Sequence, residues 1–180
     1  MMAGEHLMPE SLTIMGIDPG SRATGFGLVR VHGPRIGYIS SGVIRLKGDD
    51  FAERLRLIFD QMSVLLAEHH PGEVAIERVF MHRNADSALK LGQARAAAIC
   101  ATFARPVPVH EYAAREVKQA VTGTGGAEKE QVQMMVKRLL GLQGRLQSDA
   151  ADALAVALCH AHMRTVRGLT AHEMMGKKRK

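Results

Sequence analysis

Thr13-Ile14-Met15-Gly16-Ile17-Asp18-Pro19-Gly20 is an apolar run that ends on a single carboxylate and then turns. Ile14, Met15 and Ile17 suit a buried strand, and Pro19-Gly20 has the composition of a tight turn in which the glycine supplies a positive φ. Gly25-Phe26-Gly27-Leu28-Val29-Arg30 reads as a second strand running back. That hairpin sets Asp18 at its mouth, near one end of a sheet. The plainer alternative is an Asp that only starts the turn, as Asp before Pro-Gly commonly does.

The chain has 180 residues, enough for one domain with a real core and too few for two ordinary ones. Lys and Arg outnumber Asp and Glu by 24 to 18, a formal charge of +6. A pI near 9.7 suits a polyanionic partner, nucleic acid first. With no Trp and only 4% aromatic residues, base stacking has little to work with, so groove and phosphate contacts are expected to dominate. Cys100 and Cys159 lie in Ala-rich surroundings and read as small core residues in a reducing compartment. The longest run of small apolar residues falls far short of the roughly 20 needed for a membrane span, so a soluble cytoplasmic protein is expected, with no membrane contact. The expected organisation is an extension over residues 1–11, one folded domain over 12–163, and a basic mobile tail over 164–180 that closes on Lys-Lys-Arg-Lys.

Beyond the hairpin, residues 35–44 alternate as a third strand. Phe51, Leu55, Ile58, Phe59, Met62, Leu65 and Leu66 recur at helical spacing. His69-His70-Pro71-Gly72 breaks that helix, and residues 73–80 follow as a strand, parallel to a neighbour because a helix leads into it. An Ala-rich helix begins near Asn84 or Asp86 and ends before Arg105-Pro106. Val107-Pro108-Val109-His110-Glu111 is a strand whose proline puts it at an edge or a strand start. Helices follow over residues 113–121, 128–140 and 149–163, the last capped by Ser148. The pattern βββαβαβααα predicts a mixed α/β sheet of five strands, three antiparallel and then two parallel, carrying helices.

Asp149 and Asp152 stand i, i+3 on the last helix, on one face and about 4.5 Å apart along its axis. Acids in a first helical turn also simply complement the macrodipole. Glu77 interrupts an apolar strand, where an unpaired carboxylate is costly unless water or a cation meets it. If the crossover lays the Glu77 strand beside the Asp18 strand and the last helix docks nearby, four carboxylates meet. Such a cluster repels itself without cations, and hard oxygen donors select Mg²⁺ or Mn²⁺. Two such ions serve phosphodiester hydrolysis. The histidines are weaker candidates, since His160 and His162 are two apart and face different sides of a helix. The Gly-rich loop over residues 123–126 lacks the Gly-Lys-Ser/Thr of a P-loop, but Lys118 and Lys129 on either side of it suit a phosphate-contacting edge.

Four blocks carry a resemblance: Gly-Ile-Asp-Pro-Gly-Ser-Arg-Ala-Thr-Gly-Phe-Gly from Gly16, Ala-Ile-Glu-Arg-Val-Phe-Met from Ala75, Asn-Ala-Asp-Ser-Ala-Leu-Lys-Leu-Gly-Gln-Ala-Arg from Asn84, and Asp-Ala-Ala-Asp-Ala-Leu-Ala from Asp149. In order and spacing the chain resembles the RuvC family of Holliday junction resolvases over residues 12–162. The resemblance implies a ribonuclease H-like fold with helices on both faces of the sheet, and a homodimer that cuts four-way DNA junctions by paired symmetric nicks. It also implies catalytic and metal-holding roles for Asp18, Glu77, Asp149 and Asp152 with two Mg²⁺, Mn²⁺ being a substitute. Asp149 is the position where some relatives carry His. Phe80 and Arg83 are implied DNA contacts together with Lys118 and Lys129, Phe80 against a base at the crossover. RuvA and RuvB are implied partners in recombination and repair. Two rivals remain open: an actin-like ATPase, which needs a second lobe that 180 residues cannot hold, and a junction-binding module without catalysis.

Overall fold

The computed structural model describes residues 11–79 and 84–177, the last stretch from residue 166 by its backbone alone. Strand β1 (Leu12–Asp18) pairs antiparallel with β2 (Ala23–His32), which pairs antiparallel with β3 (Arg35–Arg45). Helix α1 (Phe51–His69) leads to β4 (Glu73–Glu77), laid parallel to β1 with Ile17 opposite Ile76. Helix α2 (Ala85–Cys100) continues into a 3-10 turn (Ala101–Ala104), and β5 (Val109–Tyr112) then joins β4 in parallel. Helices α3 (Ala114–Thr122), α4 (Lys129–Leu139) and α5 (Ser148–Lys177) complete the chain. The sheet order is β3-β2-β1-β4-β5, so the strand bearing Asp18 is central and the proline-led β5 is an edge.

Period-two alternation divides the sheet residues between two cores. Met15, Ile17, Leu28, Val74 and Ile76 face α1 and α2, meeting Ile58, Met62, Ala94 and Ala98. Ile14, Val29 and Ala75 face the other way, onto α5 and, behind it, Val117, Val121, Val132 and Val136 of α3 and α4. Helix α5 is therefore sandwiched between sheet and helices, which explains why it is built so largely of alanine.

Glycine sets how closely α5 approaches the sheet. A Cβ on Gly16 would stand 2.1 Å from the Ala153 carbonyl oxygen, one on Gly25 2.0 Å from that of Asp149, and one on Gly27 2.7 Å from the Leu154 side chain. These residues lie side by side across the hairpin, Gly16 opposite Gly27 and Asp18 opposite Gly25. They form a floor without side chains on which the helix backbone rests.

Three expectations change. Gly20 does not adopt a left-handed φ; it is required for space, because a Cβ would lie 2.2 Å from the Ala23 carbonyl oxygen. The final helix runs to Lys177, past residue 163 where the sequence pattern ends it. Residues 164–177 contain no proline and only one glycine after Arg164 before residue 176, so no strong breaker stops it. Cys159 is buried, but Cys100, at the end of α2, is exposed because Ala94, Ala98 and Ala101 take the inner face. Among the described residues no helix is long and apolar enough to cross a membrane.

Gly16→Ala should cost about 3 kcal/mol or more, at the upper end of overpacking penalties, because the obstacle is helix backbone and not a movable side chain. Denaturant unfolding checks this; a variant within about 0.5 kcal/mol of the parent would contradict the close approach.

Candidate active site

Three elements converge at the C-terminal ends of β1 and β4. Asp18 is the last residue of β1, Glu77 the last of β4, and each lies one step beyond the paired residues Ile17 and Ile76. The first turn of α5, seated on Gly25 and Gly16, carries Asp149 and Asp152 over the same spot. Carboxylate oxygens of Asp18, Asp149 and Asp152 lie within 4.8 Å of one another. Glu77 stands outside that trio, yet it shares one cavity with Asp18 and another, of about 210 Å³, with Asp152.

The electrostatics follow from burial. Loss of solvent, together with the charges of Glu77, Asp152 and Asp149, pushes the Asp18 carboxyl up to about 8. Burial likewise raises Glu77 and Asp152, each with a carboxylate neighbour adding to the effect. Lys129, the first residue of α4, opposes this. Its Nζ lies 2.5 Å from Asp152 Oδ2, and although burial disfavours its charge, that hydrogen bond and the surrounding acids raise its pKa. Lys118 of α3 lines the Glu77–Asp152 cavity and favours the ionised form of both acids. An all-oxygen donor set, closely spaced and under-compensated by protein cations, fits a hard divalent cation.

A second polar cluster lies further along α5. His160 is fully buried, its rings stacked on His110 at 4.3 Å between centroids. Glu73 Oε2 stands 2.5 Å from His160 Nε2, and the Tyr112 hydroxyl 2.6 Å from His160 Nδ1. Arg164 Nε reaches both Glu73 oxygens at 2.9 and 3.0 Å. Burial holds the His160 imidazole below its ordinary value against the pull of Glu73, so a neutral ring donates from Nε2 to Glu73 and accepts at Nδ1 from Tyr112. Glu73, His110 and His160 are spaced closely enough to hold a metal, but Arg164 already balances the Glu73 charge and both His160 nitrogens are engaged. His162, its sequence neighbour on the helix, instead faces the Ala120 carbonyl at 3.1 Å.

The sequence-predicted acids Asp18, Asp149 and Asp152 are thus brought together, with Glu77 alongside. Lys118 and Lys129 stand in the acidic cavity itself, closer to the carboxylates than an outer phosphate-contacting edge implies. Phe80 and Arg83 lie outside the described residues. Sequence reasoning missed the ion pair of Lys129 with Asp152, for which no local pattern exists. It also missed the glycine floor, although glycines at alternate positions of a hairpin in a chain with an Ala-rich final helix were a usable signal.

A mixed sheet of this order, with acids on its central strand, on the neighbouring strand and on the helix crossing it, defines the ribonuclease H-like class. Residues 14–160 match the family model for crossover junction endodeoxyribonuclease RuvC, and the chain belongs to that family. A crossover junction endodeoxyribonuclease RuvC of Marinobacter nauticus is 61% identical over 150 residues, covering 83% of this chain and 86% of that protein. One of Methylococcus capsulatus is 58% identical over 151 residues, covering 84% and 91%. The structure of T. thermophilus RuvC in complex with a Holliday junction substrate aligns with a TM-score of 0.79 at 36% identity, over 85% of this chain and 94% of that one.

The raised Asp18 predicts a pH dependence. Between the ordinary carboxylate value of 3.8 and about 8 the folded protein keeps a proton that the unfolded chain releases, so folding stability falls as pH rises across that window. In chelator, the melting temperature should decline from about pH 5 to about pH 8. Asp18→Asn should flatten the decline and melt higher at the alkaline end by about 4 °C, the equivalent of about 1–2 kcal/mol at this size. A flat profile for the parent protein would contradict the buried cluster.

Proposed function

We propose that this chain is a structure-selective endonuclease that resolves four-way DNA junctions in recombination and repair, by paired nicks through phosphodiester hydrolysis that leave ligatable ends. The observation that carries it is the convergence of Asp18, Asp149 and Asp152 within 4.8 Å in a chain of the RuvC family. Asp18, Glu77, Asp149 and Asp152 are the proposed catalytic acids, and the same residues would hold two Mg²⁺, with Mn²⁺ as a substitute. Divalent ions in such a site supply an activated water and neutralise charge building on the leaving 3′-oxygen.

The chain's own groups have separate tasks. Asp18, buried and raised to about 8 on its own, would have to give up its proton to hold a cation, which would couple metal binding to proton release. Lys129 holds Asp152 in place by its ion pair, and a cation at Asp152 would free that ammonium for a DNA phosphate. Lys118, across the same cavity, is the second proposed phosphate contact, and Phe80 and Arg83 the proposed contacts near the crossover. Asp18→Asn and Glu77→Gln should each slow cutting of a mobile four-way junction in Mg²⁺ by on the order of 10³-fold or more while leaving junction binding intact. Mapping of nicks beside gel-shift titration checks this; near-normal cutting by either variant would overturn the site, and binding without any cutting by the parent would favour a binding module.

Paired nicks need two identical sites, so a two-fold dimer is proposed. Ala88, Gly92 and Ala96 do not pack on their own sheet. With Leu89, Val79 and Arg78 they line a surface groove, and, its own helix backbone aside, no atom of the described residues lies within 4 Å of a Cβ built on Gly92. Leu89 is 67% exposed at that groove. A second copy of α2 is the proposed occupant. RuvA and RuvB are the proposed branch-migration partners, and the cytoplasm the proposed compartment. Leu89→Glu should shift sedimentation toward monomer by about tenfold or more in dissociation constant without lowering the melting temperature, and should uncouple the two cuts on a supercoiled cruciform. Concerted linearisation by a monomeric variant would refute the dimer.

A further inference from the structure

A cavity of about 720 Å³ at the acidic end of the sheet is lined by Arg45, Gln133, Arg145, Leu146, Gln147, Ser148 and Asp149. Asp149 belongs both to this groove and to the carboxylate cluster. Lys118 and Lys129 stand on the Glu77–Asp152 side of that cluster, so the groove lies on its other flank.

Its cations are unspent. Arg56, Arg78, Lys90, Arg95, Lys129 and Arg164 each pair with a carboxylate, whereas Arg45 and Arg145 pair with none among the described residues. Arg45, the last residue of β3, is oriented by the Gln147 amide oxygen at 3.3 Å, a neutral partner that leaves its charge uncompensated. The loop carrying Arg145 is braced: Lys137 of α4 donates to the Gly144 carbonyl at 2.6 Å, and Gly141 and Gly144 take left-handed φ of 64° and 75°. Gln133 donates to the Ser148 hydroxyl at 2.9 Å and ties α4 to the start of α5 on the groove's other wall. Two exposed guanidiniums, one oriented by a neutral amide and the other carried on a braced loop, beside a strongly acidic centre suit the oxygens of phosphodiesters.

We infer that the Arg45–Arg145 groove is a second backbone-binding site, which holds phosphates of the DNA strand being cut on the Asp149 side of the catalytic acids. This rests on the nuclease function proposed above. A strand whose cut phosphate sits among four carboxylates is repelled by them wherever it is not met by cations. Lys118 and Lys129 serve one side of the cut, and Arg45 with Arg145 serve the other, so the strand is clamped across the site and held in line. Neither arginine touches a base in this scheme, and the groove therefore contributes affinity and alignment without sequence preference.

The test uses the full chain carrying Asp18→Asn, which blocks cutting, and a fluorescent synthetic four-way junction in Mg²⁺, titrated at several salt concentrations. Arg45→Gln and Arg145→Gln should each weaken binding by about threefold to tenfold and lower the salt slope by about one unit, the double variant by about two. Arg45→Lys should retain most of the slope, which loss of packing alone would not produce. Methylphosphonate linkages introduced singly beside the cut should weaken the parent at the contacted positions and have no further effect in the matching arginine variant, a non-additivity that identifies the phosphate. If the Asp18→Asn protein binds the junction and the double glutamine variant binds with the same affinity and slope, the groove is refuted while the nuclease function stands. If the Asp18→Asn protein does not bind a junction at all, both fall.

Discussion

The active end of this molecule depends on how closely one helix can lie on one hairpin. Gly16, Gly25 and Gly27 remove every side chain from a patch of β1 and β2, and the backbone of α5 settles where Cβ atoms would otherwise stand, within about 2 to 3 Å of the Ala153 and Asp149 carbonyls and the Leu154 side chain. That contact fixes the height and the direction of the helix. Its first turn then has nowhere to project Asp149 and Asp152 except over the end of β1, beside Asp18. A helix standing one methyl group further out would still bury its alanines but would separate the carboxylates.

Helix α5 carries two polar clusters, and they are balanced in opposite ways. Around His160 every charge has an answer: Glu73 meets Arg164, the neutral imidazole bridges Glu73 and Tyr112, and His110 stacks on the ring. Buried polar groups satisfied like this tie β4, β5 and the helix together. Around Asp18 the balance is left open. Lys129 answers Asp152 and Lys118 stands near, but Asp18 itself is pushed up to about 8 because burial and three acids face it. The same helix is thus anchored by a closed network and offers an incomplete one, with the uncompensated, closely spaced donors that suit a cation.

The surface around the cluster repeats the contrast. Glu111 is shared by Arg78 and Arg95, and Asp86 is paired with Lys90, so that part of the surface is neutralised within the chain. Arg45 is oriented by the Gln147 amide and Arg145 is carried on a loop braced by Lys137, neither paired with an acid among the described residues. The formal +6 of the whole chain is in this sense not evenly spread. Part of it stands where a negatively charged strand crossing the acidic centre would need it.

The sequence by itself determined the strands and the kind of chemistry their acids suit, and left the placing of β4 beside β1 to the structure. Alternation in residues 13–30, helical spacing from Phe51 to Leu66 and the proline-led edge strand are local signals, written in neighbouring residues, and so are the acids that interrupt apolar strands or share a helix face. What only the tertiary structure decided are relations between residues far apart in the chain. These are the Lys129–Asp152 pair, the His160 network that His162 does not join, the outward turn of Cys100 and of the α2 stripe, and the approach of α5 that brings Asp149 and Asp152 beside Asp18. The physical reason is common to all: periodicity reports which face of an element is apolar, whereas burial, desolvation and charge balance depend on what is packed against that face.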